Sequence, residues 1–138
     1  EFSRSGNKPN QNFPSIVTNN QLLENIKKIN PQRIILFRCG LIVNKKVINC
    51  GIPIMNIHAA KVPQFGGIGS IHKAIKKNDY DQFASLHVVT RTIDEGELLD
   101  SEKYKLNPSV CYCQNEMIAY NAGKHLLLRT LNTNILPV

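Results

Sequence analysis

The run Ile54-Met55-Asn56-Ile57-His58 constrains this chain more than any other stretch. It reads as a short buried strand that ends in polar residues. Asn56 and His58 lie two apart, so on a strand they point the same way. The segment AAKVPQFGGIGS that follows is a loop punctuated by proline and glycine, and SIHKAIKK after it reads as a helix. Strand, loop and helix, with an amide and an imidazole at the strand's carboxyl end, is a common way for an α/β protein to build a site. Upstream, RIILF (33–37) is apolar nearly throughout, which suits a strand covered on both faces. Two such strands joined through a helical segment predict parallel pairing and a right-handed crossover. The expected class is α/β with a mostly parallel sheet.

Periodicity and punctuation predict the other elements. Residues 1–15, EFSRSGNKPNQNFPS, are polar and turn-rich and read as a tail or linker ahead of one domain over 16–138. Leu22, Leu23, Ile26 and Ile29 form an apolar stripe, predicting a helix over 20–29, capped by Asn19 or Asn20 and stopped at Asn30-Pro31. LIVNKKVIN after Gly40 has room for one helical turn or two. Gly66, Gly67 and Gly69 make the loop after His58 tight, without the spacing of a dinucleotide-binding fingerprint. Ser70 is the expected cap of a helix over 71–77 with Ile71, Ala74 and Ile75 inward. A turn over 78–82 leads to a strand over 85–89, a turn at Asp94-Glu95-Gly96, and a strand over 97–106 polar enough for an edge. The last helix is expected over 110–130, packed through Val110, Met117, Ile118, Leu126, Leu127 and Leu131. Gly123 inside it marks a close contact or a break.

The 138 residues suffice for one domain with a real core. Seventeen Lys plus Arg against ten Asp plus Glu give a net charge of +7, spread over pairs at 27–28, 45–46 and 76–77. Such pairs solvate helix ends; an anionic ligand is the second reading. Nucleic acid is disfavoured, because no Lys/Arg stripe, aromatic interleaving or zinc spacing accompanies the charge. No apolar run approaches a membrane span, and no secretory segment opens the chain. Cys39, Cys50, Cys111 and Cys113 include one close pair and no second, so free buried thiols in a reducing, cytoplasmic setting are expected, and no metal site.

Asn56, His58 and Asp94 form the candidate polar set. Imidazole beside a carboxylate moves protons near neutral pH, the acid fixes the imidazole tautomer, and an amide donor holds an oxygen on which charge develops. The bland alternative is a structural histidine, since nothing local brings Asp94 to His58. His72 and His87 read as surface or packing histidines.

Two stretches carry a resemblance. IMNIHAAKVPQFGG resembles the central motif of the folate-dependent formyltransferases, an Asn-Ile-His strand end followed by a proline- and glycine-bearing loop. LHVVTRTIDEGELL resembles that family's second motif, a strand with valine and histidine followed by an acidic loop, and KINPQRIILF resembles its preceding helix, turn and strand. Together they cover about residues 16–106 and resemble the C-terminal half of the catalytic domain of phosphoribosylglycinamide, methionyl-tRNA and sugar N-formyltransferases. The resemblance implies a mostly parallel, Rossmann-like sheet without the family's N-terminal strands, whose open edge the helix over 20–29, a partner or the missing half would cover. It implies formyl transfer from 10-formyltetrahydrofolate to a small, anionic amine. Asn56 would bind the formyl oxygen, His58 would stabilise the oxyanion, and Asp94 would orient His58 and assist proton removal. Gly40, Leu41, Ile42, Thr90, Arg91 and Thr92 would bind the pterin. Formyltetrahydrofolate hydrolysis, or a non-catalytic remnant that binds folate or a protein, are the alternatives. The chain departs from the pattern at Ala59, where the family has proline, at Lys61-Val62, at Gly66, where it has a basic residue, and in Phe37-Arg38-Cys39, where a glycine closes the strand.

Overall fold

The computed structural model describes residues 14–136, so most of the expected tail lies outside the described residues. Eight elements follow in order: α1 (Asn19–Ile29), β1 (Ile34–Phe37), α2 (Lys45–Ile48), β2 (Ile54–His58), α3 (Ser70–Lys76), β3 (Asp81–Val88), β4 (Leu98–Lys105) and α4 (Tyr112–Leu131). The strands form one sheet in the order β1-β2-β3-β4. β1 and β2 are parallel, with Ile34 opposite Ile54 and Phe37 opposite Ile57. β2 and β3 are antiparallel, with Asn56 opposite His87 and His58 opposite Ser85, and β3 and β4 are antiparallel as well.

The mostly parallel, Rossmann-like sheet expected from the sequence is therefore corrected to a mixed, mostly antiparallel one. The parallel expectation holds for the β1–β2 crossover alone. After β2 the chain does not travel back along the sheet before the next strand begins. The loop after His58 is spent in turns, with Phe65 N–H donating to Lys61 O and Gly66 N–H to Pro63 O. Helix α3 then leads out and returns to the same end: Lys61 Nζ pairs with Asp79 Oδ1 at 2.8 Å, and Lys61 N–H donates to Gln82 Oε1. β3 thus starts beside the end of β2 and must run antiparallel. It also begins at Asp81, inside the expected turn.

Two helices cover opposite faces of the sheet. Leu22 and Ile26 of α1 pack with Val47 and Ile54 against Ile34 and Leu36. Ala122 and Leu126 of α4 pack with Met55, Ile57, Ala84 and Leu86 against Ile35 and Phe37. Helix α1 thus covers one face of β1, not its edge, and β1 is half-buried along its length rather than enclosed. A third cluster, Ala60, Phe65, Ile71, Ala74, Leu106 and Ala119, seats the loop and α3 on the start of α4.

Several local expectations change. Thr18, not Asn19 or Asn20, caps α1 through a reciprocal capping box with Gln21, and Ile29 is exposed. Gly69, with a left-handed φ of 72°, caps α3, and Ser70 is the first helical residue. The buried stripe of α4 is Asn115, Ala119, Ala122, Gly123, Leu126 and Thr130, which puts Met117 and Leu131 on the exposed side. Small residues let α4 lie close on the sheet: a Cβ on Gly123 would meet Phe37 Cε2 at 3.0 Å, so this glycine marks a close contact. Arg129 fastens the far end of α4 to β4 through Asp100 Oδ2 at 2.9 Å and Glu102 Oε2 at 2.6 Å. The four cysteines are free, but Cys39, Cys111 and Cys113 are exposed, not buried. Among the described residues, no helix is long and apolar enough to cross a membrane.

Candidate active site

Adjacent strands bring the polar residues together. Asn56 and His58 share one side of β2, and the antiparallel register sets His87 of β3 opposite Asn56. The loop after β3 then folds back. Val88 N–H donates to Glu97 O, and Gly96 lies so close to Val88 that a Cβ there would sit 1.7 Å from its carbonyl oxygen. This tight return points Asp94 inward. Asp94 takes a left-handed φ of 56°, a conformation that Asp tolerates better than most residues.

Asp94 is the hub, with 8% of its surface exposed. Its Oδ1 accepts from Asn56 Nδ2 at 3.3 Å and lies 3.0 Å from His87 Nε2. Its Oδ2 accepts from Gly67 N–H at 2.8 Å and lies 3.3 Å from His58 Nδ1. Burial alone pushes the carboxyl up; the His87 hydrogen bond, the Gly67 N–H and the charges of His58 and His87 outweigh it and hold Asp94 at about 2. Gly66 permits this approach, since a Cβ there would stand 3.1 Å from Asp94 Cβ.

The other ends of the two imidazoles are also engaged. His58 Nε2 lies 2.7 Å from Phe65 O, and His87 Nδ1 lies 3.0 Å from Val88 O. Each ring therefore faces an acceptor on both sides. A neutral imidazole carries one N–H and satisfies one of them; an imidazolium satisfies both. The carboxylate also fixes Asn56, because an acceptor-only group requires the amide nitrogen on its side. Asn56 Oδ1 takes no hydrogen bond from the described residues. Behind the site the Tyr104 hydroxyl donates to Ala59 O, and burial pushes that phenol above its usual range.

Asn56, His58 and Asp94 border one cavity of about 900 Å³, as do Gly40, Leu41, Ile42, Thr90, Arg91 and Thr92. This size suits a drug-sized ligand. Leu36, Leu41, Val43 and Val89 supply apolar wall. Three exposed isoleucines, Ile42, Ile68 and Ile93, stand on its border, so apolar surface concentrates where a ligand would cover it. His87 is the residue that sequence reasoning missed: it is buried at 1% exposure and joined to both Asn56 and Asp94. The signal lay in the β2–β3 pairing, which a parallel reading hid. His72 is exposed, edge-on to Tyr112.

Comparison with known proteins fits this geometry. The sequence profile of the family described as formyl transferase matches residues 6–117. The chain belongs to that family. Among formyl transferases it is similar to methionyl-tRNA formyltransferase of Rickettsia rickettsii, 25% identical over 128 residues, which covers 91% of this chain and 42% of the relative. The chain thus spans less than half the length of the curated relatives it matches. Among solved structures, phosphoribosylglycinamide formyltransferase from Streptococcus pneumoniae superposes with a TM-score of 0.72 at 21% identity, covering 83% of this chain and 66% of that one. A formyltetrahydrofolate deformylase from Pseudomonas syringae superposes with a TM-score of 0.74 at 18% identity, covering 81% and 38%. These two likenesses concern the fold.

Proposed function

We propose that this chain carries the reaction centre of an enzyme that transfers a formyl group from 10-formyltetrahydrofolate to an amine of a small, anionic substrate. Asn56, His58 and Asp94 are its catalytic residues, and His87 positions Asp94. The observation that carries this reading is the convergence of Asn56, His58 and His87 on one buried carboxylate at the edge of a ligand-sized cavity. Family membership supports the chemistry.

The donor supplies a formyl carbon attached to nitrogen. Asp94, held at about 2, stays ionised across the physiological range and is a weak proton acceptor. Its part is orientation and charge: it turns the Asn56 amide and holds His58 by Nδ1. His58 offers Nε2 to the reacting oxygen in exchange for Phe65 O. The amine nitrogen bonds to the formyl carbon, whose oxygen accepts the second Nδ2–H of Asn56. The amine then gives up one proton, the bond from that carbon to the donor nitrogen breaks, and the donor nitrogen takes up a proton relayed through His58 or solvent and leaves as tetrahydrofolate. The segments around 40–42 and 90–92 grip the pterin with backbone groups, inside the apolar wall that suits its ring system.

The test is incubation with 10-formyltetrahydrofolate, alone and with amines taken from the relatives' names: phosphoribosylglycinamide, methionyl-tRNA and amino sugars. Amine-dependent loss of the formyl group, abolished in His58→Ala, is the expected result. Formate release without any amine would move the reading to hydrolysis. Absence of both reactions would overturn it.

A further inference from the structure

Arg38 follows directly on β1 with a φ of 50°, in the left-handed region that arginine rarely adopts. By strand alternation its side chain would follow Ile34 and Leu36 toward the α1 side. The left-handed turn breaks that alternation, and the guanidinium lies 5.1 Å from the Tyr120 ring centroid on α4. Tyr120 is itself stacked on Phe37, with centroids 5.6 Å apart. Among the described residues Arg38 forms no ion pair. All three residues border the cavity that holds Asn56, His58 and Asp94. The other charges on that cavity are Lys73, Arg91, Asp94 and Glu116, and both carboxylates are already engaged, Glu116 by the Tyr112 hydroxyl. Strained backbone at a ligand cavity, spent on aiming an unpaired cation along an aromatic shelf, points to binding.

We propose that Arg38 is a specificity-determining residue that binds an oxyanion group, a carboxylate or a phosphate, carried by a ligand in this cavity. The Tyr120 ring, backed by Phe37, supports the guanidinium and leaves its N–H donors free to meet the anion in pairs. The inference rests on the proposed function for the identity of the ligand, not for the anion site itself. Two sources fit: the glutamyl carboxylates of the folate donor and a phosphate on the acceptor.

Calorimetry on the full chain distinguishes them. The probes are 5-formyltetrahydrofolate, the same pteridine lacking the glutamyl tail, inorganic phosphate and ribose 5-phosphate. In Arg38→Met, affinity for the anion-bearing probe falls about tenfold, while the tail-less pteridine binds as before. Loss confined to the glutamylated folate assigns the donor; loss confined to the phosphates assigns the acceptor. Arg38→Gly relieves the left-handed strain, so it melts no lower than the parent yet loses the same binding. If no pteridine binds the parent, the folate reading fails and the phosphate probes still decide for Arg38. The proposal is overturned if neither anion class binds the parent, if Arg38→Met binds every probe as the parent does, or if it weakens the tail-less pteridine equally.

Discussion

At the scale of single residues, the site depends on how closely backbone approaches backbone around Asp94. Gly96 is the sharpest case. A Cβ at that position would overlap Val88 O at 1.7 Å, and no side-chain rotation relieves a clash with a carbonyl. Gly96→Ala is expected to cost about 2–4 kcal/mol in denaturant unfolding, far above the usual effect of a surface glycine. Asn56 and His58 were legible as a pair because strand alternation alone puts them on one side. Asp94 was legible as a candidate acid on a turn, but only the motif resemblance joined it to His58, since their separation is set by that turn. His87 was not legible as a site residue: on its own strand it looks like one more half-buried position. Only the antiparallel register with Asn56 reveals it.

At the scale of elements, apolar runs located β1 and β2 well and missed the start of β3, and helix faces were read less reliably. In α4 the sequence draws attention to large apolar residues, whereas the sheet accepts small ones. Two truncations separate the readings. Leu126→Ala, at a fully buried position against Met55 and Leu86, is expected to cost about 2–5 kcal/mol, while Met117→Ala, on the exposed side, should change stability by less than about 0.5 kcal/mol. The cap of α1 gives a smaller effect. Thr18 accepts from Gln21 N–H while Gln21 Oε1 takes the Thr18 N–H, so Thr18→Ala should lower stability by about 1 kcal/mol. Chemical denaturation of the three variants checks all of these. Turn chemistry explains the wrong strand direction too. Periodicity says that a helix lies between β2 and β3, but the return to Lys61 rests on long-range pairs with Asp79 and Gln82.

At the scale of the whole molecule, the buried carboxylate ties the site to folding. The carboxyl of Asp94 falls from 3.8 to about 2 on folding, so its contribution is fully present above the unfolded value and is lost as pH drops through the folded one. The size is about 2 kcal/mol. The parent should therefore lose stability between pH 4 and pH 2 more steeply than Asp94→Asn, as followed by thermal melting across that window. The proposed function asks more of the same network: in it the charge of Asp94, and not only its shape, organises Asn56 and His58 for formyl chemistry. The most direct test is the rate of formyl loss from 10-formyltetrahydrofolate, with the same set of amines, in the parent and in Asp94→Asn. With secondary structure retained by circular dichroism, the variant is expected to be slower by about 100-fold or more. Turnover within a few-fold of the parent would contradict the account.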